Sequence, residues 1–278
     1  MVLALLVATL AHGGQIDEVK GWRVTRSVQI VAAPEDVYPY LANLEMWPTW
    51  TAWSKEMDPE ATWTYDGSPS QVGQKSAWEG PKMGEGSMVV TSVAPPTSVT
   101  YDLFFDNRPT ANPGQLTLSA GAHATTVTWD TAGKMGAIGR ALFRKKVESM
   151  IGDDFEKGLS TLKVKAEADA GARHAAAVAE AEKRAGELES AAKAADDAAA
   201  KSKVDAEAAK TAADAATAAV ATAKKKEKAA AEAKAAEATK AAADAAAKGT
   251  ADAAAADIAR KAAEEARAAA KAATDQVF

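Results

Sequence analysis

RSVQIVAAPEDVYPYL, residues 26–41, carries two periodicities back to back. Extended back to Arg23, the first half sets Val24, Val28 and Ile30 on one parity, the period-2 alternation of a half-buried strand. Ala33-Pro34-Glu35-Asp36 then has the form of a helix start. A proline in the first turn gives up an N–H that has no partner there, and acids meet the positive end of the helix dipole. Val37, Tyr40, Leu41 and Leu44 follow at helical spacing and supply an inward face. The stretch predicts a strand over 23–32 and a short helix after it.

Moving outward, WPTWTAW at 47–53 places three tryptophans at three-residue spacing around a proline, a short helical turn with indoles along one side. Two roles stay open for them, the rim of a cavity and a surface aromatic corner. From Thr62 to Thr131 short apolar-alternating runs are separated by Gly and Pro turns, which predicts one antiparallel meander. Val99, Tyr101, Leu103 and Phe105 share a parity, as do Leu116 and Leu118, and Val127 and Trp129; each set is expected to face inward, with Asp102 and Asp130 facing solvent. Between Gly136 and Lys163 the period becomes helical again: Phe143, Val147, Met150, Ile151, Phe155, Leu159 and Leu162 form a broad apolar stripe. The result is an α+β domain in which a sheet wraps a long C-terminal helix.

Composition sets the outer limits of that domain. All seven Trp, four Tyr and ten Pro lie before residue 130, and from Val164 onward roughly every second residue is alanine. The chain therefore divides into an apolar N-terminal segment (1–21), a folded domain (22–163) and an alanine-rich helical tail (164–278). The domain is long enough to bury a core without metal or disulfide. With no cysteine there is no thiolate nucleophile, disulfide or cysteine-held metal. A net charge of -5 and a balanced tail argue against nucleic acid, and the one basic cluster, Lys224, Lys225, Lys226 and Lys228, reads as a solvated helix face. Residues 2–11, VLALLVATLA, are too few to span a bilayer and lack a preceding basic residue. An export signal, the remnant of an anchor and a packed apolar helix all remain open for them.

Five motifs in one order, RSVQIVAAPEDVYPYL at 26–41, WPTWTAW at 47–53, AWEG at 77–80, GEGSM at 84–88 and MIGDDFEKGL at 150–159, resemble the SRPBCC superfamily, the START-like helix-grip fold, in its bacterial polyketide-cyclase/dehydrase-like branch. The resemblance covers about 22–163. It implies a deep, mostly apolar cavity between the sheet and the C-terminal helix, used by members to bind lipids, hormones or polyketides and by some to catalyse cyclisation. Members often carry a membrane anchor before the first strand, and residues 2–11 look like a shortened one, which sets membrane association or the cell envelope against a cytoplasmic placement.

Candidate ligand-binding residues are Trp50, Trp53, Trp78, Tyr101, Leu103, Phe105, Trp129, Phe143, Val147 and Met150, since pockets are mainly apolar with a few placed polar groups; the alternative for any one of them is plain core, since buried aromatics chiefly serve packing. Catalytic chemistry is thinly supplied. His12, His123 and His174 lie too far apart in kind and place to converge, so neither a metal site nor any cofactor is expected. Glu79 and Glu85 flank a predicted turn, as an acid/base pair over the cavity mouth or as a solvated pair, and Glu79 with Tyr101 is the candidate set if the protein is an enzyme. Three functions are open: a non-enzymatic binder of an apolar small molecule or lipid, a cyclase/aromatase- or dehydrase-like enzyme, and an adaptor working through its tail.

The tail itself contains no proline, and Gly171, Gly186 and Gly249 are its expected weak points. Val178, Leu188, Val204, Val220 and Ile258 do not sustain a heptad of large residues, which excludes a leucine-type coiled coil and leaves an alanine-lined one, a folded-back hairpin or a single helix. Its composition is similar to the helical spacer of TolA-like envelope proteins and suits a spacer or an element of self-association.

Overall fold

The structure is a computed structural model and describes residue 16, residues 19–106 and residues 108–276. Residues 2–11 lie outside the described residues. The chain forms two compact units, one through Arg173 and one from His174.

In the first unit β1 (Gly21–Ile30) leads into α1 (Pro34–Ala42) and a 3-10 turn (Leu44–Thr49). Six further strands come after it: β2 (Thr62–Asp66), β3 (Lys75–Gly80), β4 (Gly84–Ala94), β5 (Ser98–Phe105), β6 (Asn112–Ala120) and β7 (Thr125–Lys134). They make one antiparallel sheet in the order β1-β7-β6-β5-β4-β3-β2. Helix α2 (Ala137–Thr222) comes next and belongs to this unit as far as Arg173. The fold is the α+β arrangement expected from the residue pattern, and the helix-grip fold that the resemblance implies.

Local chemistry explains the elements. Helix α1 starts on Pro34 with Glu35 and Asp36 in its first turn, and Asp36 pairs with Arg173 at 2.8 Å. Asn43 then caps the 3-10 turn by accepting from the Glu45 amide at 3.0 Å. Buried Gln74 ties this corner to the sheet, accepting from the Leu44 and Ser70 amides and donating to Asn43 Oδ1 at 3.0 Å. On α2 the residues facing the core are Phe155, Leu159, Leu162, Ala166 and Ala170, spaced by three or four. Their size falls along the helix, so alanine carries the buried stripe beyond Lys163. Tyr40 donates to Asp169, and this bond with the Asp36–Arg173 pair binds the same stretch to α1. Asp130 lies on the outer face, paired with Arg23 and accepting from Thr25 Oγ1 at 2.9 Å. Asp102 is only half buried, and burial raises its carboxyl above the ordinary value.

The second unit is a helical hairpin of the rest of α2 and α3 (Lys228–Asp275). Shielded positions alternate by three and four from Ala185 to Ala223 on one arm and from Ala231 to Ala273 on the other, a heptad seam. Nearly all of those residues are alanine. Leu188, Ser202 and Val220 are the exceptions on α2, and Gly249 and Asp252 those on α3. Ser202 donates to Asp252, Lys248 Nζ reaches Ser202 Oγ at 2.8 Å, and Arg267 grips Glu189 at 2.9 and 3.1 Å. The arms are therefore antiparallel. The reversal falls at 223–227, in the lysine cluster, and not at Gly171, Gly186 or Gly249, which all sit inside helix. Crowding like charges into one turn disfavours helix there, whereas each glycine costs only about 1 kcal/mol. Lys224, Lys225 and Lys226 thus form the hairpin tip and not a helix face, and Lys228 opens α3.

Candidate functional site

The cavity is built by a device repeated three times in the sheet. Tyr101 on β5 stands opposite Gly114 on β6, Trp78 on β3 opposite Gly86 on β4, and Trp22 on β1 opposite Gly133 on β7. A Cβ at those glycines would come within 2.1 Å of the Tyr101 ring, 2.3 Å of Trp78 and 2.2 Å of Trp22. Each ring thus lies across the neighbouring strand, in room that only glycine leaves. The rings become wall in place of packed filler.

Trp129 on β7 anchors the centre. Its ring stacks on Phe155 of α2 at 3.7 Å and 8°, and its Nε1–H donates to the Tyr101 hydroxyl at 2.7 Å. Thr131, on the same strand, donates its Oγ1–H to the Pro113 carbonyl at 3.0 Å. Trp47 meets Tyr101 edge-on at 5.2 Å and Trp129 at 5.5 Å, while its indole N–H goes to the Leu41 carbonyl at 2.9 Å. Trp53 stands edge-on to both Trp129 and Phe155. Such edge-to-face contacts add about 0.5–1.5 kcal/mol each beyond burial, so the wall is rigid as well as apolar.

What remains is a cavity of about 100 Å³. Its lining includes Trp47, Pro48, Thr51, Trp53 and Trp63 from the segment after α1 and β2, Trp78, Met83, Met88, Tyr101, Leu103, Phe105, Trp129 and Thr131 from the β3–β7 region, and Ile151 and Phe155 from α2. Among the described residues, none that lines the cavity carries a charge. Burial pushes the Tyr101 hydroxyl well above its ordinary value, so it stays neutral at any physiological pH.

Met83 is placed by a residue that no motif suggested. Asp58 is fully buried and accepts from the backbone amides of Lys82 at 2.8 Å and Met83 at 3.0 Å, which fixes the β3–β4 turn at the cavity. Burial works against the charge of Asp58, but the amides of Met83, Lys82 and Glu60 outweigh it and hold the carboxyl below the ordinary range. Gly80 leaves the space, since a Cβ there would stand 2.4 Å from Asp58 Oδ2.

Of the expected ligand-binding residues, Trp53, Trp78, Tyr101, Leu103, Phe105 and Trp129 line the cavity. Trp50 does not. It is buried behind the wall, donates to the Tyr40 carbonyl at 2.9 Å, and props Trp47 and Trp129. The tryptophan motif therefore contributes Trp47 and Trp53 to the cavity wall and Trp50 to the buried framework behind it, and is not a surface corner. Phe143, Val147 and Met150 also lie off the cavity: Phe143 and Met150 are 55% and 58% exposed, and α2 enters the wall only from Ile151. Helical period alone cannot tell which turn of a long helix first reaches the sheet. Glu79 is exposed, on the opposite face from Trp78, with Glu85 directly across from it. It is not brought to Tyr101. Residues missed by the sequence reading include Trp22, Trp63, Met83, Met88, Ile151 and Thr131; the parity of Trp63 with Tyr65 and the strand glycines Gly86 and Gly114 were the available signals.

Solved structures of similar architecture include the Aha1 dimer from Colwellia psychrerythraea, at 16% identity over 52% of this chain and 96% of that one, TM-score 0.40. Protein CV1439 from Chromobacterium violaceum matches at 15% identity, 52% and 96% coverage and TM-score 0.39. StfQ, a di-domain ARO/CYC protein from the steffimycin biosynthetic pathway, matches at 13% identity, 54% and 51% coverage and TM-score 0.43. No curated protein matches significantly. A family model described as polyketide cyclase / dehydrase and lipid transport matches residues 21–167, just over half the chain and the span from β1 to just past Ala166 of α2. The chain belongs to the polyketide cyclase / dehydrase and lipid transport family.

Proposed function

We propose that the first unit binds an uncharged, apolar small molecule or lipid without transforming it. The observation that supports this is the uncharged lining. The hydroxyl best placed to act on a ligand, that of Tyr101, is engaged by the Trp129 indole, and the indole N–H groups of Trp47 and Trp129 are used within the wall. A ligand meets ring edges and faces, methionine sulfur and three small hydroxyls at Thr51, Ser76 and Thr131. At about 100 Å³ the cavity takes one small ring or a short run of methylenes, and the rest of a larger ligand extends past Met83, Phe105 and Trp63. The hairpin serves as spacer or association element, and residues 2–11 as a membrane contact.

Native mass spectrometry of freshly purified protein, followed by titration with acyl chains and fused-ring aromatics under tryptophan fluorescence, tests the reading. Saturable quenching is expected, since five of the lining residues are indoles close to the ligand and Trp22 is a sixth. No retained molecule and no saturable response across both ligand classes overturns it. Turnover of a bound polyketide that is abolished by Tyr101→Phe overturns its non-enzymatic half.

A further inference from the structure

One edge of the first unit gathers features that the cavity does not use. Gly21 at the start of β1 pairs with Lys134 at the end of β7, and the Met135 amide donates to the Lys20 carbonyl at 3.2 Å. The entry of the chain into the domain and the start of α2 are thus tied together. Lys20, Lys134 and Arg140 line an open cleft there with Met135 and Gly136. All three cations are exposed. Among the described residues no carboxylate pairs with any of them, whereas Arg23, Arg26, Lys163 and Arg173 of the same unit each have an acidic partner.

Directly beyond the cleft, the first turns of α2 leave Ile138, Leu142, Phe143 and Met150 exposed at 78%, 68%, 55% and 58%. Ile138, Leu142 and Met150 fall on one i+4 row, with the aliphatic stem of Lys146 between them and Phe143 alongside. Four large apolar side chains in solvent over thirteen residues form a patch that needs an occupant. The apolar run 2–11 ends nine residues before Lys20, a reach of at most about 30 Å from the same edge. Unpaired cations beside exposed aliphatic and aromatic side chains match a phospholipid interface, phosphates outside and acyl chains beneath.

We propose that this edge docks on an anionic phospholipid bilayer, Lys20, Lys134 and Arg140 meeting lipid phosphates while Ile138, Leu142, Phe143 and Met150 enter the acyl boundary. The surface does not depend on what fills the cavity. Because the chain has no cysteine, Phe143→Cys in the full chain accepts a single polarity-sensitive fluorophore. Added to vesicles of phosphatidylcholine with one quarter phosphatidylglycerol, this label is expected to shift to the blue, and added salt is expected to reverse the shift. The same label at Val204→Cys, exposed in the hairpin, is expected to stay unchanged. Lys20→Gln/Lys134→Gln/Arg140→Gln is expected to lower partitioning about fivefold per cation, on the order of 100-fold in all. No shift with anionic vesicles overturns the proposal. So does a shift equal on pure phosphatidylcholine and untouched by the triple substitution, which assigns binding to residues 2–11 alone. A shift that tracks protein concentration without vesicles assigns the patch to a second copy and overturns it too.

Discussion

Gly114→Ala carries a sign that ordinary strand behaviour reverses. Alanine in a strand is normally better than glycine by about 0.5–1 kcal/mol. Here its Cβ would stand 2.1 Å from Cζ and 2.3 Å from the hydroxyl oxygen of Tyr101. Carbon atoms settle near ~3.5 Å, so the ring has to retreat by about 1.4 Å. It has nowhere to go: Tyr101 is 1% exposed, Trp47 stands edge-on at 5.2 Å, and the hydroxyl accepts from Trp129 at 2.7 Å. Overpacking costs about 1–3 kcal/mol, and a buried indole N–H stripped of its acceptor another 1–3 kcal/mol or so. Set against the roughly 0.5–1 kcal/mol that alanine gains, the expected net loss is about 1–5 kcal/mol. Urea unfolding monitored by tryptophan emission measures it cleanly, since all seven tryptophans lie in the first unit and the helical hairpin is silent. In a Tyr101→Leu background the same substitution is expected to cost less than about 1 kcal/mol, because the obstructing ring is gone. A loss below about 0.5 kcal/mol in the native background, or an equal loss in both, refutes the ring-over-glycine argument.

Acid should act through Asp58. Its folded value is depressed, so its contribution to stability is complete above the ordinary value near 3.8 and disappears as pH falls through the lower folded value; urea midpoints between pH 7 and pH 2.5 are expected to fall less steeply in Asp58→Asn than in the native chain. Alkali acts through Tyr40, pushed up to about 12 by burial and by its bond to Asp169. The neutral form is favoured in the fold, so that contribution is whole below pH 10, fades as pH rises through about 12, and is absent from Tyr40→Phe in the same titration. In the hairpin, Ala256→Leu forces a large side chain into a seam spaced for methyl groups, an overpacking cost of about 1–3 kcal/mol; a lowered helix-melting temperature by circular dichroism checks it.

Much of the domain was readable because its signals are local. The strand-to-helix change at Ala32, the parity of Val99, Tyr101 and Leu103, and the helical recurrence of Phe155, Leu159 and Leu162 each depend on neighbours in the chain. What escaped depends on partners far away. Trp50 and Trp53 look alike in WPTWTAW, yet one props the wall and the other forms it, because the 3-10 turn ends at Thr49 and the helical spacing of the indoles ends with it. Phe143 and Met150 continue the same apolar stripe as Phe155, and only the point at which α2 meets the sheet separates exposed from buried. Asp58 belongs to none of the motifs of the sequence. Its role comes from amides 24 and 25 residues away.

A seam built almost wholly of alanine holds two helices together without telling them where to stop. Sliding one arm by seven residues brings alanine against alanine again, and the packing loses only its ends. Alignment is therefore stored in very few places: the Ser202–Asp252–Lys248 contact, the missing side chain of Gly249 beside Ser202, and the Arg260–Asp196 and Arg267–Glu189 clamps. The length of the hairpin is then a free variable of the architecture. Matching seven-residue insertions in both arms, placed between those contacts and the tip, would lengthen the arm by about 10 Å and leave every other contact as it is.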